Sequence, residues 1–298
     1  MSDESHALVF VAPPDNKPAY REALMLLGRV AFARKLPPPQ VLSGWESAQW
    51  IYPQIDGELS LEAAAAVADV PVDWALISVV ARRKKLLVAD MDSTIINVEC
   101  LDELADYAGA KSEIAAITDR AMRGELAFEP ALRERVARLR GLALDALQRT
   151  YDERVRINPG ASTLVRTMAA NGARCVLVSG GFTFFTSRVA DAAGFHAHRS
   201  NTLLDDGKAL TGAVQEPILG RAAKLETLHQ EAQALGLDMR DSMAIGDGAN
   251  DLDMIKAAGL GLAYRAKPLV AEQADARIDH TSLETALFFQ GYLRGEFA

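Results

Sequence analysis

Two aspartates separated by one residue, Asp90 and Asp92, follow a short apolar run from Leu86 to Ala89. Of two such carboxylates, one can attack phosphorus as a nucleophile while the other transfers protons. A polar turn between a strand and a helix is the plainer alternative, with Asp92 or Ser93 capping the helix. The pair alone does not decide between these two interpretations.

Two later apolar runs also end in polar residues. They are Arg174 to Val178, which leads into Ser179-Gly180-Gly181, and Ser242 to Ile245, which leads into Gly246-Asp247-Gly248-Ala249-Asn250-Asp251. Small residues after a strand let backbone N–H groups approach an anion, and Ser179 adds a hydroxyl donor, although a plain tight turn is the alternative. Asp90 and Asp247 carry the hard oxygen atoms that Mg²⁺ prefers as ligands.

Continuous apolar runs are typical of strands buried on both faces of a parallel sheet. The carboxyl ends of parallel strands meet at one edge, where ligands bind. We therefore expect the three polar strand ends to form one site for Mg²⁺ and a phosphoryl group. Lys224 lies in the first turn of a predicted helix, Arg221 to Leu235, where its charge opposes the helix dipole unless an anion is close. An exposed lysine would tolerate the position at little cost.

The composition excludes several classes of function. The chain has 298 residues, with 40 acidic against 32 basic side chains and a net charge of −8, which speaks against a nucleic-acid partner. Cys100 and Cys175 show no metal-ligand spacing and indicate a reducing compartment. The acidic N-terminus lacks the features of a signal peptide, and no uninterrupted apolar stretch is long enough to span a membrane. We therefore expect a cytoplasmic protein without a membrane partner, and the lack of a Gly-x-x-x-x-Gly-Lys loop excludes a P-loop.

Residues 1–80 form a predicted N-terminal α+β domain. Its strands and helices alternate, at Leu8 to Val11, Tyr20 to Phe32, Val41 to Ile51, Leu61 to Ala68 and Trp74 to Val80. This β-α-β-α-β order resembles a trimmed ferredoxin-like module of the ACT-like, amino-acid-sensing kind. Packing or self-association is the simpler role for this domain, and ligand sensing is the alternative. The basic run Arg82 to Lys85 is interpreted as a solvated linker rather than a nucleic-acid patch.

A helical segment separates the first core strand from the second. Residues 101–157 are too long for an ordinary crossover, so we predict a helical-bundle cap inserted into a catalytic core of residues 81–100 and 158–298. One cap helix, starting at Pro130, contains four arginines: Arg133, Arg135, Arg138 and Arg140. Arg135 lies closest to the apolar stripe of that helix, so it is the arginine best placed to face inward.

These motifs together resemble the haloacid dehalogenase (HAD) superfamily of phosphohydrolases and, within it, the phosphoserine phosphatases. The matching segments are Asp90-Met-Asp-Ser-Thr with Glu99, Ala121-Met-Arg-Gly-Glu-Leu-Ala-Phe128, Leu132-Arg-Glu-Arg-Val136, Ser179-Gly-Gly-Phe182, Lys224 and Gly246-Asp-Gly-Ala-Asn-Asp-Leu252. The aspartate pair resembles the HAD superfamily as a whole. Glu99, Arg135 and the cap pattern restrict the resemblance to the phosphoserine phosphatases. It implies an α/β fold with a Rossmann-like parallel sheet and a Mg²⁺-dependent hydrolysis of phosphoserine, the last step of serine biosynthesis.

The resemblance also implies roles for the acidic residues. Asp90 is the expected nucleophile, which forms an aspartyl-phosphate, and Asp92 is the expected general acid and then general base. Asp90, the backbone carbonyl of Asp92 and Asp247 are the expected Mg²⁺ ligands, with Asp251 in support.

The remaining site residues are expected to bind the substrate. Those that bind the phosphoryl group are Ser179, Gly180, Lys224 and Asn250. Glu99 and Arg135 are expected to bind the amino and carboxylate groups, since a zwitterionic amino acid needs one fixed charge of each sign and Arg binds a carboxylate through two N–H groups.

Two alternative functions stay open. The first is an enzyme that hydrolyses another small phosphomonoester, or that transfers the phosphoryl group to a second alcohol. The second is a regulatory amino-acid-binding protein with an inert phosphatase half, although such a protein should have lost Asp90, Asp92 or Lys224, and all three are present. The predicted partner is a small-molecule substrate, and assembly into a homo-oligomer is left open.

Overall fold

A four-stranded antiparallel sheet with two helices forms the N-terminal part of the chain. The computed structural model describes residues 5–54, 57–122 and 125–298. The N-terminal elements are β1 (His6–Val11), α1 (Lys17–Ala33), β2 (Gln40–Ser43), β3 (Ser47–Tyr52), α2 (Leu59–Ala66) and β4 (Asp73–Ser78). The strand order is β2-β3-β1-β4, which together with the β-α-β-β-α-β chain order is the ferredoxin-like arrangement.

The prediction of one strand from Val41 to Ile51 is wrong, because this segment is a hairpin. Strands β2 and β3 pair antiparallel around a turn at Gly44 to Glu46. Trp45 adopts the left-handed conformation there, with φ of 64°, and its ring packs edge-on against Tyr20 at 5.9 Å. The Ser43-Gly44 dipeptide is a turn signal that the single-strand prediction overlooked, whereas a tryptophan at positive φ is uncommon and could not be foreseen.

A six-stranded sheet forms the catalytic core. Its strands are β5 (Leu86–Ala89), β6 (Arg174–Phe182), β7 (Ala197–Asn201), β10 (Ser242–Gly246), β11 (Gly261–Tyr264) and β12 (Ala276–Ile278). They run in the order β12-β11-β10-β5-β6-β7, and every pair is parallel. The four residues of β5 are fully buried because alternate side chains enter apolar clusters on opposite faces, Leu87 on one and Val88 on the other. The predicted Rossmann-like parallel sheet is confirmed.

Helices cover both faces of the core sheet and form the cap. Those of the core are α7 (Ala161–Ala170), α8 (Thr183–Ala193), α9 (Arg221–Leu235), α10 (Leu252–Ala257), α11 (Pro268–Ala271) and α12 (Thr285–Phe289). Those inserted between β5 and β6 are α3 (Cys100–Tyr107), α4 (Lys111–Met122), α5 (Phe128–Ala137) and α6 (Asp145–Arg154). Within the described part of the chain, no helix has both the length and the apolar character that a membrane span requires.

A hairpin of the core supports the cap from the side. Strands β8 (Leu203–Asp205) and β9 (Leu210–Val214) pair antiparallel across a turn that contains Asp206 and Gly207, and Gly207 has φ of 86°. The Gly141 N–H donates to the Leu210 carbonyl at 2.8 Å, just beyond the end of α5. The cap is therefore held by the hairpin as well as by its two chain connections.

The N-terminal sheet packs directly on the core. Val9 of β1 and Ile77 of β4 belong to the same buried apolar cluster as Leu287 of α12. The buried carboxylate of Asp73 accepts hydrogen bonds from three consecutive backbone N–H groups, at residues 279–281, at 2.8, 3.1 and 2.9 Å. Apolar burial and a buried polar contact thus hold the two parts together.

The interpretation of the basic run before β5 as a solvated linker is wrong for two of its four residues. Lys84 is 5% exposed, and its ammonium donates to the backbone carbonyls of Arg240 and Gly259 at 2.6 and 3.1 Å. Arg82 donates to the Phe289 carbonyl at 2.7 Å. Buried cations need hydrogen-bond acceptors, and free carbonyls at the ends of neighbouring elements supply them here.

Candidate active site

Three neighbouring strands, β10, β5 and β6, end at one edge of the core sheet. They are parallel, with Ala89 opposite Ile245 on one side and Leu177 on the other. The Asp90 N–H continues the β10 pairing by donating to the Ile245 carbonyl at 3.0 Å. The structure therefore brings Asp90, Ser179 and the loop that follows β10 to the same edge. The prediction that the second strand ends at Val178 is wrong, because β6 continues to Phe182 after an irregularity in its pairing with β7, and Ser179 lies within it.

The helical turn after β5 is irregular, because Asp92 and Ser93 within it have non-helical backbone conformations. Met91–Ile95 forms a single turn in which Asp92 is extended and Ser93 is left-handed, with φ of 58°. This conformation costs a non-glycine residue roughly 1–3 kcal/mol and is common at functional sites. It places the Ser93 hydroxyl 2.7 Å from a carboxylate oxygen of Glu99, while the Thr94 hydroxyl donates to Asp247 at 3.2 Å.

A group of three carboxylates surrounds one buried lysine. One oxygen from each of Asp90, Asp247 and Asp251 lies within 4.8 Å of the others. The Lys224 ammonium donates to Asp90 and, at 2.6 Å, to Asp251. The second Asp251 oxygen accepts the Gly248 N–H at 3.0 Å. Lys224 therefore meets an anionic partner, which resolves its conflict with the dipole of α9.

Burial and mutual repulsion perturb the ionisation of these groups. Burial, and then the charge of Asp251, raise the pKa of Asp90 well above its usual range. The same two causes raise the pKa of Asp247 to about 6. Burial lowers the pKa of Lys224, but Asp251 and Asp90 outweigh it and the net shift is upward. Three crowded carboxylates with one ammonium leave excess negative charge, and this all-oxygen donor set fits a divalent cation.

The carboxylate of Asp92 points away from this group. One of its oxygens accepts the Cys100 backbone N–H at 3.0 Å, and the other accepts the Ser179 hydroxyl at 3.0 Å. Burial raises the pKa of Asp92, and these hydrogen bonds oppose the rise. A Cβ at Gly181 would lie 2.9 Å from the same carboxylate, so a larger residue here would have to displace Asp92.

Two further residues shape the loops around the expected phosphoryl site. The Asn201 amide, at the end of β7, donates to the Gly180 carbonyl at 2.9 Å and accepts the Leu219 N–H at 2.7 Å. The ring of Phe128, the first residue of α5, packs against Gly180. A Cβ on Gly180 would lie 3.2 Å from this ring. The sequence reasoning missed Asn201, although a polar residue at a strand end was a usable signal.

The predicted phosphoryl ligand Asn250 lies in the loop that follows β10. It is half-buried, and its side-chain oxygen lies 2.3 Å from the position that a Cβ on Gly248 would occupy.

Glu99 and Arg135 lie near each other where the cap meets the core. Glu99 is open to solvent within the cleft, yet the surrounding protein and then the charge of Asp92 raise its pKa to about 7. Arg135 is half-buried; burial lowers its pKa, whereas Asp102 and Glu99 oppose that shift. Arg138 of the same helix is exposed and pairs with Glu113 at 3.0 Å. Two residues of the cap pattern, Arg123 and Gly124, lie outside the described residues.

A family model of the haloacid dehalogenase-like hydrolases matches residues 87–256. The match begins in β5, ends in α10 and takes in the strand ends that carry Asp90, Ser179 and Asp247. The chain belongs to this family. Its predicted superfamily is thereby confirmed.

Three more specific relatives all carry the name phosphoserine phosphatase. A phosphoserine phosphatase of Polaromonas sp. (strain JS666) is 47% identical over 208 residues, which are 68% of this chain and 88% of that protein. The unliganded structure of a probable phosphoserine phosphatase from Vibrio cholerae has a TM-score of 0.79 and 32% identity, covering 98% of this chain and 88% of that one. A substrate-bound phosphoserine phosphatase has a TM-score of 0.64 and 36% identity, covering 69% of this chain and 98% of that one.

Proposed function

We propose that the protein is a phosphoserine phosphatase, which hydrolyses O-phosphoserine to serine and phosphate. The observation that carries this proposal is the arrangement around the sheet edge. Asp90 contacts a buried lysine, Asp92 follows two residues later beside Ser179, and Arg135 of the cap lies near Glu99. One cation and one anion outside the phosphoryl site match the two charges of an amino acid.

The two aspartates divide the chemistry between them. An Asp90 oxygen attacks phosphorus and forms an aspartyl-phosphate, while the bond from phosphorus to the serine oxygen breaks and that oxygen takes a proton from Asp92. Water then attacks the same phosphorus, gives a proton to Asp92 and restores the Asp90 carboxylate. Burial raises the pKa of Asp92 and so favours the protonated form that the first step needs.

The acidic group would hold Mg²⁺. Asp90, the backbone carbonyl of Asp92 and Asp247 are its proposed ligands, and Asp251 supports them through Lys224 and the Gly248 N–H. A bound Mg²⁺ supplies positive charge that stabilises the phosphoryl oxygens as they react.

The remaining residues bind and orient the substrate. The proposed phosphoryl ligands are Ser179, Gly180, Lys224 and Asn250. In the structure the Ser179 hydroxyl donates to Asp92 and accepts the Gly181 N–H at 2.8 Å. As a phosphoryl ligand, it would donate to a phosphoryl oxygen in place of Asp92. Glu99 accepts the substrate ammonium, and Arg135 donates to the substrate carboxylate. The cap opens to admit substrate and closes to exclude water.

Phosphate release from three substrates, with Mg²⁺ and with excess EDTA, tests this proposal. Phosphoserine carries both charges, phosphoethanolamine lacks the carboxylate and 4-nitrophenyl phosphate lacks both. Mg²⁺-dependent release with the highest kcat/KM for phosphoserine is expected. Equal kcat/KM values for all three substrates would identify an unselective phosphomonoesterase. Transfer of the phosphoryl group to an added alcohol would identify a phosphotransferase. No phosphate release at all would identify an inert regulatory protein.

A further inference from the structure

The side-chain amide of Asn201 joins the end of β6 to the segment that precedes α9. Asn201 is the last residue of β7 and is 2% exposed. Its nitrogen donates to the Gly180 carbonyl at 2.9 Å and to the Leu219 carbonyl at 3.1 Å, and its oxygen accepts the Leu219 N–H at 2.7 Å. An asparagine amide offers two N–H donors and a carbonyl acceptor, so this side chain uses its donors and its acceptor on these two segments.

The hydrogen bond to Gly180 fixes the orientation of one peptide unit near the end of β6. The Gly180 carbonyl and the Gly181 N–H belong to the same planar unit and point in opposite directions. Asn201 holds the carbonyl, and the Ser179 hydroxyl accepts the N–H at 2.8 Å. Because neither glycine has a side chain that restricts its backbone, these two contacts set the direction of the peptide unit. Ser179 and Gly180 are the residues of this segment that are proposed to bind the phosphoryl group.

The two hydrogen bonds to Leu219 fix the approach to α9. Leu219 and Gly220 directly precede this helix, and Lys224 lies in its first turn. Because the Asn201 amide both donates to Leu219 and accepts from it, the amide constrains the direction of this segment as well as its position. The side chain that orients Gly180 therefore also anchors the start of the helix that carries Lys224.

We infer that Asn201 is a positioning residue for the phosphoryl site. It holds the glycine backbone of β6 beside the start of α9, so that donors from both segments can reach one phosphoryl group. The inference rests on the proposed function, which assigns Gly180 and Lys224 to that group, and it gives Asn201 a role that the mechanism above does not use.

Binding of inorganic phosphate separates this role from a merely structural one. Phosphate carries the phosphoryl oxygens without the amino-acid groups, and calorimetry measures its Kd in the presence of Mg²⁺ without any turnover. Asn201→Ala should raise this Kd about tenfold, the effect of misaligning one hydrogen bond to a charged group. The kcat/KM values for phosphoserine and 4-nitrophenyl phosphate should fall by the same factor as each other, because both substrates carry the phosphoryl group.

Gln290→Ala is the matched control, since it removes another buried amide. Gln290 is 1% exposed, and its amide donates to the Ala286 carbonyl at 3.0 Å and accepts the Lys84 N–H at 3.0 Å. Lys84 precedes β5, so this amide lies toward the opposite edge of the core sheet. The substitution should lower the melting temperature without changing the Kd of phosphate.

Asn201→Val fills more of the volume than Ala and keeps the test available if Asn201→Ala does not fold. An unchanged Kd of phosphate in folded Asn201→Ala or Asn201→Val would overturn the inference, and so would a loss of kcat/KM confined to phosphoserine. Wild-type protein that binds phosphate but does not hydrolyse phosphoserine would instead overturn the proposed function. Wild-type protein that binds no phosphate would overturn both.

Discussion

The ammonium of Lys224 lies 2.6 Å from a carboxylate oxygen of Asp251, and both side chains are almost completely buried. The same ammonium contacts Asp90, so one cation joins the residue that follows β5 to the loop that follows β10. Removing one partner of a buried ion pair leaves an uncompensated charge, which usually costs more than the pair contributes. The network is therefore part of the stability of the core as well as part of the site.

Replacing the lysine by an apolar residue should destabilise the metal-free protein. We expect Lys224→Met to lower the free energy of unfolding by about 3 kcal/mol, because Asp90 and Asp251 would lose their buried cation. Urea unfolding in EDTA measures the loss, and added Mg²⁺ should recover part of it by supplying positive charge to the same carboxylates.

Arg221→Ala is the control for that comparison. Arg221 lies in the same turn of α9, but it is half exposed and pairs with Asp253 at 2.7 Å on the surface. Its loss should cost less than about 1 kcal/mol. Equal stabilities of Lys224→Met and Arg221→Ala would show that the buried network contributes little.

Arg135→Ala should change the choice of substrate. Loss of a charged hydrogen bond to the substrate carboxylate should raise KM for phosphoserine about 10- to 100-fold, whereas 4-nitrophenyl phosphate has no such group to lose. Arg138→Ala, on the exposed side of the same helix, should leave both KM values unchanged. Steady-state kinetics with both substrates makes the comparison, and an equal loss on both would assign Arg135 to the phosphoryl site or to the fold.

Glu99→Gln should alter how stability depends on pH. The pKa of Glu99 rises from its ordinary 4.5 to about 7 in the folded protein, because the surrounding protein displaces water from its carboxylate and because Asp92 is close. Between these values the folded state retains a proton that the unfolded state releases, so each step up in pH lowers the free energy of unfolding. The loss is absent below pH 4.5 and complete above about pH 7.

The variant lacks this titration. The wild type should therefore lose stability relative to Glu99→Gln as the pH rises from 4.5 to 7, in urea unfolding of metal-free protein. Parallel curves across that window would show that Glu99 is ionised as easily in the folded protein as in the unfolded chain.

A protein that starts at residue 81 should keep Mg²⁺-dependent activity on phosphoserine. All residues assigned to the chemistry lie between Asp90 and Asp251, and the substrate-bound relative is matched almost completely by 69% of this chain. The melting temperature should fall, because truncation uncovers Leu287 and removes the Asp73 contacts with residues 279–281.

Titration of both proteins with serine examines the role of the N-terminal domain. Equal responses would support packing or self-association, and a response confined to the full-length protein would favour ligand sensing. A folded, soluble truncated protein without turnover would show that the N-terminal domain supplies part of the active site.

The gathering of Asp90, Ser179 and Asp247 at one edge could be predicted because parallel pairing follows from continuous apolar runs. The side chains that pair with Lys224, Asp90 and Asp251, could not be predicted from the sequence. Its place in the first turn of α9 indicated an anion, and the phosphoryl group was the expected one, but Asp90 lies 134 residues away in the chain. Such pairing depends on how α9 packs on the sheet.

The burial of charged side chains was the other feature that could not be predicted from the sequence. A run of basic residues is usually solvated, yet Lys84 reaches two backbone carbonyls that only the folded chain brings within 3.1 Å. Likewise, Cys100 showed only that it has no metal-ligand spacing. Its contact with Asp92 depends on where α3 begins relative to the turn after β5.

The most direct test of the central claim is to trap the phosphoryl group on the protein. Wild-type protein is mixed with phosphoserine that is radiolabelled in its phosphate, quenched in acid within one turnover and mapped by peptide. The label should be found on Asp90, should be released by hydroxylamine as an acyl phosphate, and should be absent from Asp90→Asn. Label on any other residue, or full activity of Asp90→Asn, would contradict the assignment of Asp90 as the nucleophile.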